Sequence, residues 1–204
     1  MFGGTVLSTQ LSERYTRLKH DSYIIPFLQK ALQEIKFERL YISTLNDDRD
    51  IQIDDDEFGE KIVVDTGGTT KYGISEHGTD MSADDIKALT KRKAIDIYRD
   101  QYYKPSKCDK LPDHLQEAFF DCVVNQGRSR ATKILQKAAN HKNGKGKSIS
   151  VDGRIGPNTI KAVQNVEVER FRAFRLMHYA SIVLKRPDKY EKYYYGWYRR
   201  CNSV

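Results

Sequence analysis

Two carboxylates stand in settings that suit acid–base work on a sugar. Glu38 follows the apolar run ending at Phe37 and precedes Leu40 and Tyr41, and apolar surroundings keep a carboxyl protonated near neutral pH. Asp65 ends the β-branched run Ile62-Val63-Val64 and is followed by Thr66, Gly67 and Gly68, where the missing side chains leave room for a bulky ring. One acid that protonates a leaving oxygen, and a second carboxylate that steadies an oxocarbenium-like centre or activates water, are the minimum for glycoside hydrolysis. On that reading Glu38 is the general acid and Asp65 the assisting carboxylate, while Thr70 and Tyr72 position water and sugar. The chain holds 28 Asp and Glu, so spacing alone does not single out the pair.

The elements that must hold these residues read as mostly helical. Ile24, Phe27, Leu28, Ala31, Leu32 and Ile35 form the stripe of a core-facing helix over residues 23–37, which delivers Glu38 at its end. The β-branched run before Asp65 predicts a strand entering a tight glycine turn, the one small β element, near residues 40–75. Ser82 with Asp84 and Asp85 caps a following helix, and Ala94, Ile95, Ile97 and Tyr98 mark the inner face of a helix from Lys91 to Tyr103. Pro112 and Asp113 start another, with Leu115, Phe119, Cys122 and Val123 inward and a stop at Gly127. Ala131 to Ala139 is a further helix, residues 142–147 a glycine and lysine loop, and Pro157 opens a helix expected to run to about Lys185.

Composition narrows the partners. The chain has 204 residues with a net charge of +7, which favours an anionic partner. Between Asp47 and Asp65 lie nine acidic residues against Arg49 and Lys61, a balance of −7 that leaves +14 elsewhere. An acidic block of that density, with no helix-turn-helix or zinc-finger pattern, argues against nucleic acid. No apolar run approaches the roughly 20 residues of a membrane helix, so no membrane insertion is expected. The first twenty residues show no secretory signal, which predicts synthesis in the cytoplasm. Cys108, Cys122 and Cys201 fit no metal or redox spacing and are expected as reduced thiols. Residues 46–57 place oxygen ligands at EF-hand-like intervals, but Ile51 stands where the loop needs glycine. A solvated acidic hairpin is the expectation, with no metal and no cofactor.

The run Asp65-Thr66-Gly67-Gly68-Thr69-Thr70-Lys71-Tyr72-Gly73-Ile74-Ser75 resembles the Asp-x-Gly-Gly-x-Thr-x-x-Gly-Ile-Thr signature of glycoside hydrolase family 108, the N-acetylmuramidases of phage endolysins and secretion-associated lysozymes. Tyr102-Tyr103, Phe120-Asp121, Asn125-Gln126-Gly127, Ala131, Leu135-Gln136, Val151-Asp152-Gly153, Gly156-Pro157, Thr159 and Gly196-Trp197 continue the likeness in order. The resemblance implies a lysozyme-like helical fold with three parts: an extension over residues 1–22, a catalytic region over 23–145, and a peptidoglycan-binding helical region over 146–204 packed on it. It also implies cleavage of the β-1,4 bond between N-acetylmuramic acid and N-acetylglucosamine by a monomer acting on the cell wall, in the periplasm or outside the cell. Asp121 and Asn125, one helical turn apart, are then expected to line the cleft, and Asp152 to Thr159 to belong to the wall-binding part.

The likeness departs from the family at the acid. The family's glutamate opens Glu-Gly-Gly-Tyr about ten residues before the double glycine, where this chain has Asp56 and Glu57. Phe37-Glu38-Arg39-Leu40-Tyr41 resembles the helix end that carries that glutamate, at the cost of an insertion of about seventeen residues before Asp65. Glu38 is the expected acid, with Glu57 and Glu60 as alternatives. A lytic transglycosylase, which needs one acid, and a non-catalytic wall-binding protein remain open, as does use by a phage, a secretion system or a toxin pathway.

Overall fold

The computed structural model describes residues 27–36, 62–65, 68–76, 79–144, 146 and 148–204, with only the backbone of Val63 and Asp65. The fold is mostly α with one small antiparallel sheet. It divides into two compact units, residues 22–101 and 102–204.

In the first unit, helix α1 covers residues 27–36 and buries Phe27, Leu28, Ala31, Leu32 and Ile35, the expected stripe. Strands β1 (Val63–Asp65), β2 (Gly68–Lys71) and β3 (Ile74–Ser75) pair antiparallel in that order. Lys71 pairs with Ile74 across Tyr72 and Gly73, whose φ values of 52° and 77° make a two-residue turn of the primed kind. Such a turn matches the right-handed twist of its strands, and it fixes the register of everything beside it. The short helix α2 (Ala83–Lys87) opens on a capping box in which the Ser82 hydroxyl accepts from the Asp85 amide and the Asp85 carboxylate accepts from the Ser82 amide. Helix α3 (Lys91–Ile97) buries Ala94 and Ile95. It then widens into a π-helical turn over Tyr98–Tyr103 instead of continuing regularly to Tyr103.

The second unit is built on α4 (Asp113–Gln126) and α5 (Arg128–Asn143), joined by Gly127 alone at φ 82°. After the loop come α6 (Pro157–Ala162), α7 (Val168–Lys185) and α8 (Pro187–Ser203). The long helix expected from Pro157 is therefore two helices. Val163 and Val166 are both fully buried, and the Val166 carbonyl meets the His114 ring nitrogen at 2.9 Å, so the chain turns there to seat both valines. At the far end Pro187 disfavours a helical residue before it, and Arg186 at φ −149° breaks α7 from α8. The two helices then close on Tyr179, Trp197 and Cys201, with the Tyr179 and Trp197 rings stacked at 4.6 Å.

One buried carboxylate ties three of these helices. Asp121 on α4 is 2% exposed; it accepts from Arg200 Nε at 3.0 Å and Nη2 at 2.7 Å from α8, and Arg175 Nη2 of α7 stands 2.7 Å from its other oxygen. Burial pushes the Asp121 pKa up, but the charges of Arg175 and Arg200 outweigh it and hold the group below its ordinary value. Its contribution is thus present above the ordinary carboxylate pKa, and it is lost as pH falls below that. Asp121→Asn leaves two guanidiniums buried with no counter-charge and is expected to cost about 3–5 kcal/mol in urea unfolding at neutral pH. A loss under about 1 kcal/mol would show that the carboxylate does not organise the unit.

Candidate active site

The sheet gathers part of the expected site. Asp65 ends β1 and pairs with Gly68, the first residue of β2, and Thr70 pairs with Val63. Paired residues and alternate residues along a strand share a face, so by register Asp65, Gly68 and Thr70 belong to one face of the sheet. Thr70 is 7% exposed. Gly68 has φ 83°, which a side chain would strain.

A residue that sequence reasoning missed completes this turn. The Glu76 carboxylate accepts the Thr69 backbone N–H, and a Cβ on Gly68 would stand 2.6 Å from Glu76 Oε2. Once Tyr72-Gly73 is read as a two-residue turn, Thr69 must face residue 76, so the signal was in the turn and not in any motif.

Tyr72 is not a sugar contact. Its ring is 3% exposed and packs on Phe27 at 5.2 Å, while its carbonyl accepts from the Tyr98 hydroxyl at 2.9 Å. A bulky residue at positive φ persists only where its surroundings over-determine it, and here the ring's burial and the Tyr98 hydrogen bond do so. Asp121 is likewise a correction: it is sealed in the ion triad of the second unit, where no sugar reaches it. Asn125, exposed at the end of α4, accepts the Tyr179 hydroxyl at 2.5 Å. Glu38, Glu57, Glu60 and the acidic stretch at 46–57 lie outside the described residues.

The segment from Asp152 to Thr159 is tied to α5 through Gln136, with Asp152, Arg154, Pro157 and Asn158 exposed. Gln136, 1% exposed on α5, donates to Asp152 Oδ1 at 2.8 Å and to the Arg154 carbonyl at 3.1 Å, and accepts from the Gly153 amide at 2.9 Å. Thr159 joins through its hydroxyl at 3.2 Å. Gly153, at φ 80°, has no room for a Cβ beside Ser129. The hydrogen bonds to Gln136 and to the Arg154 amide lower the Asp152 pKa. These residues hold the loop to α5, and Asn140 repeats the device with both backbone groups of Ile149. Cys108, Cys122 and Cys201 are buried thiols, and burial pushes the Cys122 thiol up to about 12.

A mostly α chain with one small antiparallel sheet, one strand of which ends on Asp65 opposite Gly68, has a lysozyme-like fold. The family model described as Glycosyl hydrolase 108 matches residues 61–127, and one described as Predicted Peptidoglycan domain matches residues 130–202. A solved structure from Brucella abortus, titled as that of SagA, is 30% identical over 70% of this chain and 82% of its own, with a TM-score of 0.55. No curated protein matches the chain. The chain belongs to the glycosyl hydrolase 108 family, and the two domains make it a peptidoglycan hydrolase. The first match begins after all three candidate glutamates.

The clash at Gly68 gives a test of the turn. Gly68→Ala is expected to destabilise by about 1–3 kcal/mol through its positive φ and the Glu76 carboxylate. In a double-mutant cycle with Glu76→Ala, the two should couple by about 0.5–3 kcal/mol. Additive losses would remove Glu76 from the account.

Proposed function

We propose that this hydrolase is an N-acetylmuramidase, cutting the β-1,4 bond between N-acetylmuramic acid and N-acetylglucosamine. The observation that carries the reading is the pairing of Asp65 with Gly68, with Thr70 on the same face of the sheet, inside the segment matched to the family. Glu38 donates its proton to the leaving glycosidic oxygen. Asp65 stabilises the positive charge that develops at the anomeric carbon or activates the attacking water, and the Thr70 hydroxyl orients that water. The substrate lies in the wall, so the protein acts in the periplasm or outside the cell, as a monomer.

Mass spectrometry of the products separates the chemistries: a hydrolase adds one water at each cut, whereas a transglycosylase leaves products lighter by that water. Glu38→Gln keeps the shape and removes the proton, so clearing of purified peptidoglycan should fall at least about 100-fold, with binding retained. Full activity in Glu38→Gln together with a dead Glu57→Gln or Glu60→Gln would move the acid. Asp65→Asn should also lose most turnover while folding normally, because its charge acts on the transition state; wild-type turnover from a folded Asp65→Asn would move the second carboxylate elsewhere.

A further inference from the structure

Helix α8 carries Tyr190, Tyr193, Tyr194, Tyr195, Trp197 and Tyr198, and they divide by side. Tyr190, Tyr193, Tyr194 and Trp197 pack in the cluster with Tyr179. Tyr195 and Tyr198 do not: they are 58% and 46% exposed, with ring centroids 6.5 Å apart and planes within 17° of parallel. Helical spacing puts Glu191, Tyr195, Tyr198 and Asn202 in one stripe, and all four are exposed. Two near-parallel aromatic faces in water, flanked by an acceptor and an amide, are an unfilled binding surface of mixed chemistry.

We infer that this stripe is a glycan platform for the β-1,4-linked amino sugars of peptidoglycan, an assignment that rests on the wall-directed reading above. Such sugars hold their ring substituents equatorial, which leaves C–H groups on both ring faces to lie against an aromatic ring. Their hydroxyl and acetamido groups pair with Glu191 and Asn202 at the rim. The match to the peptidoglycan domain selects sugar over the other polymer that stacks on aromatic rings. Residues 102–204 carry 21 Lys and Arg against nine Asp and Glu, a surplus of twelve that draws the unit to an anionic wall. Glu191 lies in the stripe and exposed Lys192 and Arg199 lie beside Tyr195, so the oligonucleotide arm of the test separates sugar from nucleic acid. The helix lies in the segment matched to the peptidoglycan domain.

The test is pelleting of the full chain with purified peptidoglycan sacculi on ice, alongside titration with a β-1,4 N-acetylglucosamine oligosaccharide and with a single-stranded oligonucleotide. Each aromatic ring removed takes away one stacking face. The double variant Tyr195→Ala/Tyr198→Ala should therefore bind sacculi and oligosaccharide at least about tenfold more weakly, and Tyr195→Phe/Tyr198→Phe should retain binding. Circular dichroism melts should match the parent, since both side chains are exposed. Parent-like binding by the alanine variant, or a loss confined to the oligonucleotide, overturns the platform. A parent chain that does not bind sacculi at all overturns the wall-directed reading, and the platform falls with it.

Discussion

The second unit depends on a carboxylate that sequence inspection would place in a binding cleft. Asp121 gathers Arg175 and Arg200 from two helices that follow one another in the chain, and it does so where both arginines are nearly solvent-free. Three charges in a core are costly to desolvate, and a hydrophobic trio of the same volume could stabilise as well. What the triad contributes is position. The α7–α8 hairpin turns at a single residue, Arg186, and could slide along its own axis; the Arg200 fork on Asp121 admits one register. Arg175 lies in ion contact with the carboxylate and over the Tyr179 ring at 5.8 Å, so its charge also bears on the aromatic cluster. The raised pKa of Tyr179, set first by burial, keeps its hydroxyl a donor to Asn125.

A different constraint governs the first unit, where backbone conformation replaces charge. The turn at Tyr72 and Gly73 sets the register, and the register brings Thr69 to Glu76 and Asp65 to Gly68. A tyrosine at positive φ is held by its ring in the core. The same position thus shapes the turn and anchors it. That coupling explains why a residue inside the matched segment can be structural: the Tyr72 ring is buried in the core while its backbone shapes the turn.

These two cases mark how far the sequence could be read. Periodicity found α1 and α4, because their apolar positions repeat at helical spacing and each has a visible boundary in Gly127, Pro112 or the stripe's end. It also found the end of α7. It missed the break at Val163–Glu167, since buried valines there continue a helical pattern while the chain changes direction. Polar residues misled in the opposite way. Asp121 looks like a ligand contact because acids are rarely buried, and only its partner, 79 residues away in sequence, shows that it is paired inward. Glu76 and the outward pair Tyr195 and Tyr198 carried no motif at all. The first needed a register and the second a helix face, and both appear only once the elements are assembled.

Charge along the chain links the two halves of the proposed activity. Residues 1–101 hold 14 basic and 19 acidic side chains, a balance of −5, whereas residues 102–204 carry the surplus of twelve. A general acid works only while protonated, and neighbouring negative charge raises a carboxyl pKa, so an acid-rich segment suits the donor of the proton. The same negative charge repels an anionic wall polymer. Screening confines that repulsion to about 8 Å in physiological salt, which is the range at which a substrate must be captured. A basic unit in the same chain offsets that repulsion. Tethering then makes the second encounter intramolecular: once the C-terminal unit holds the wall, the catalytic segment meets glycan at an effective concentration set by the chain and not by its own attraction.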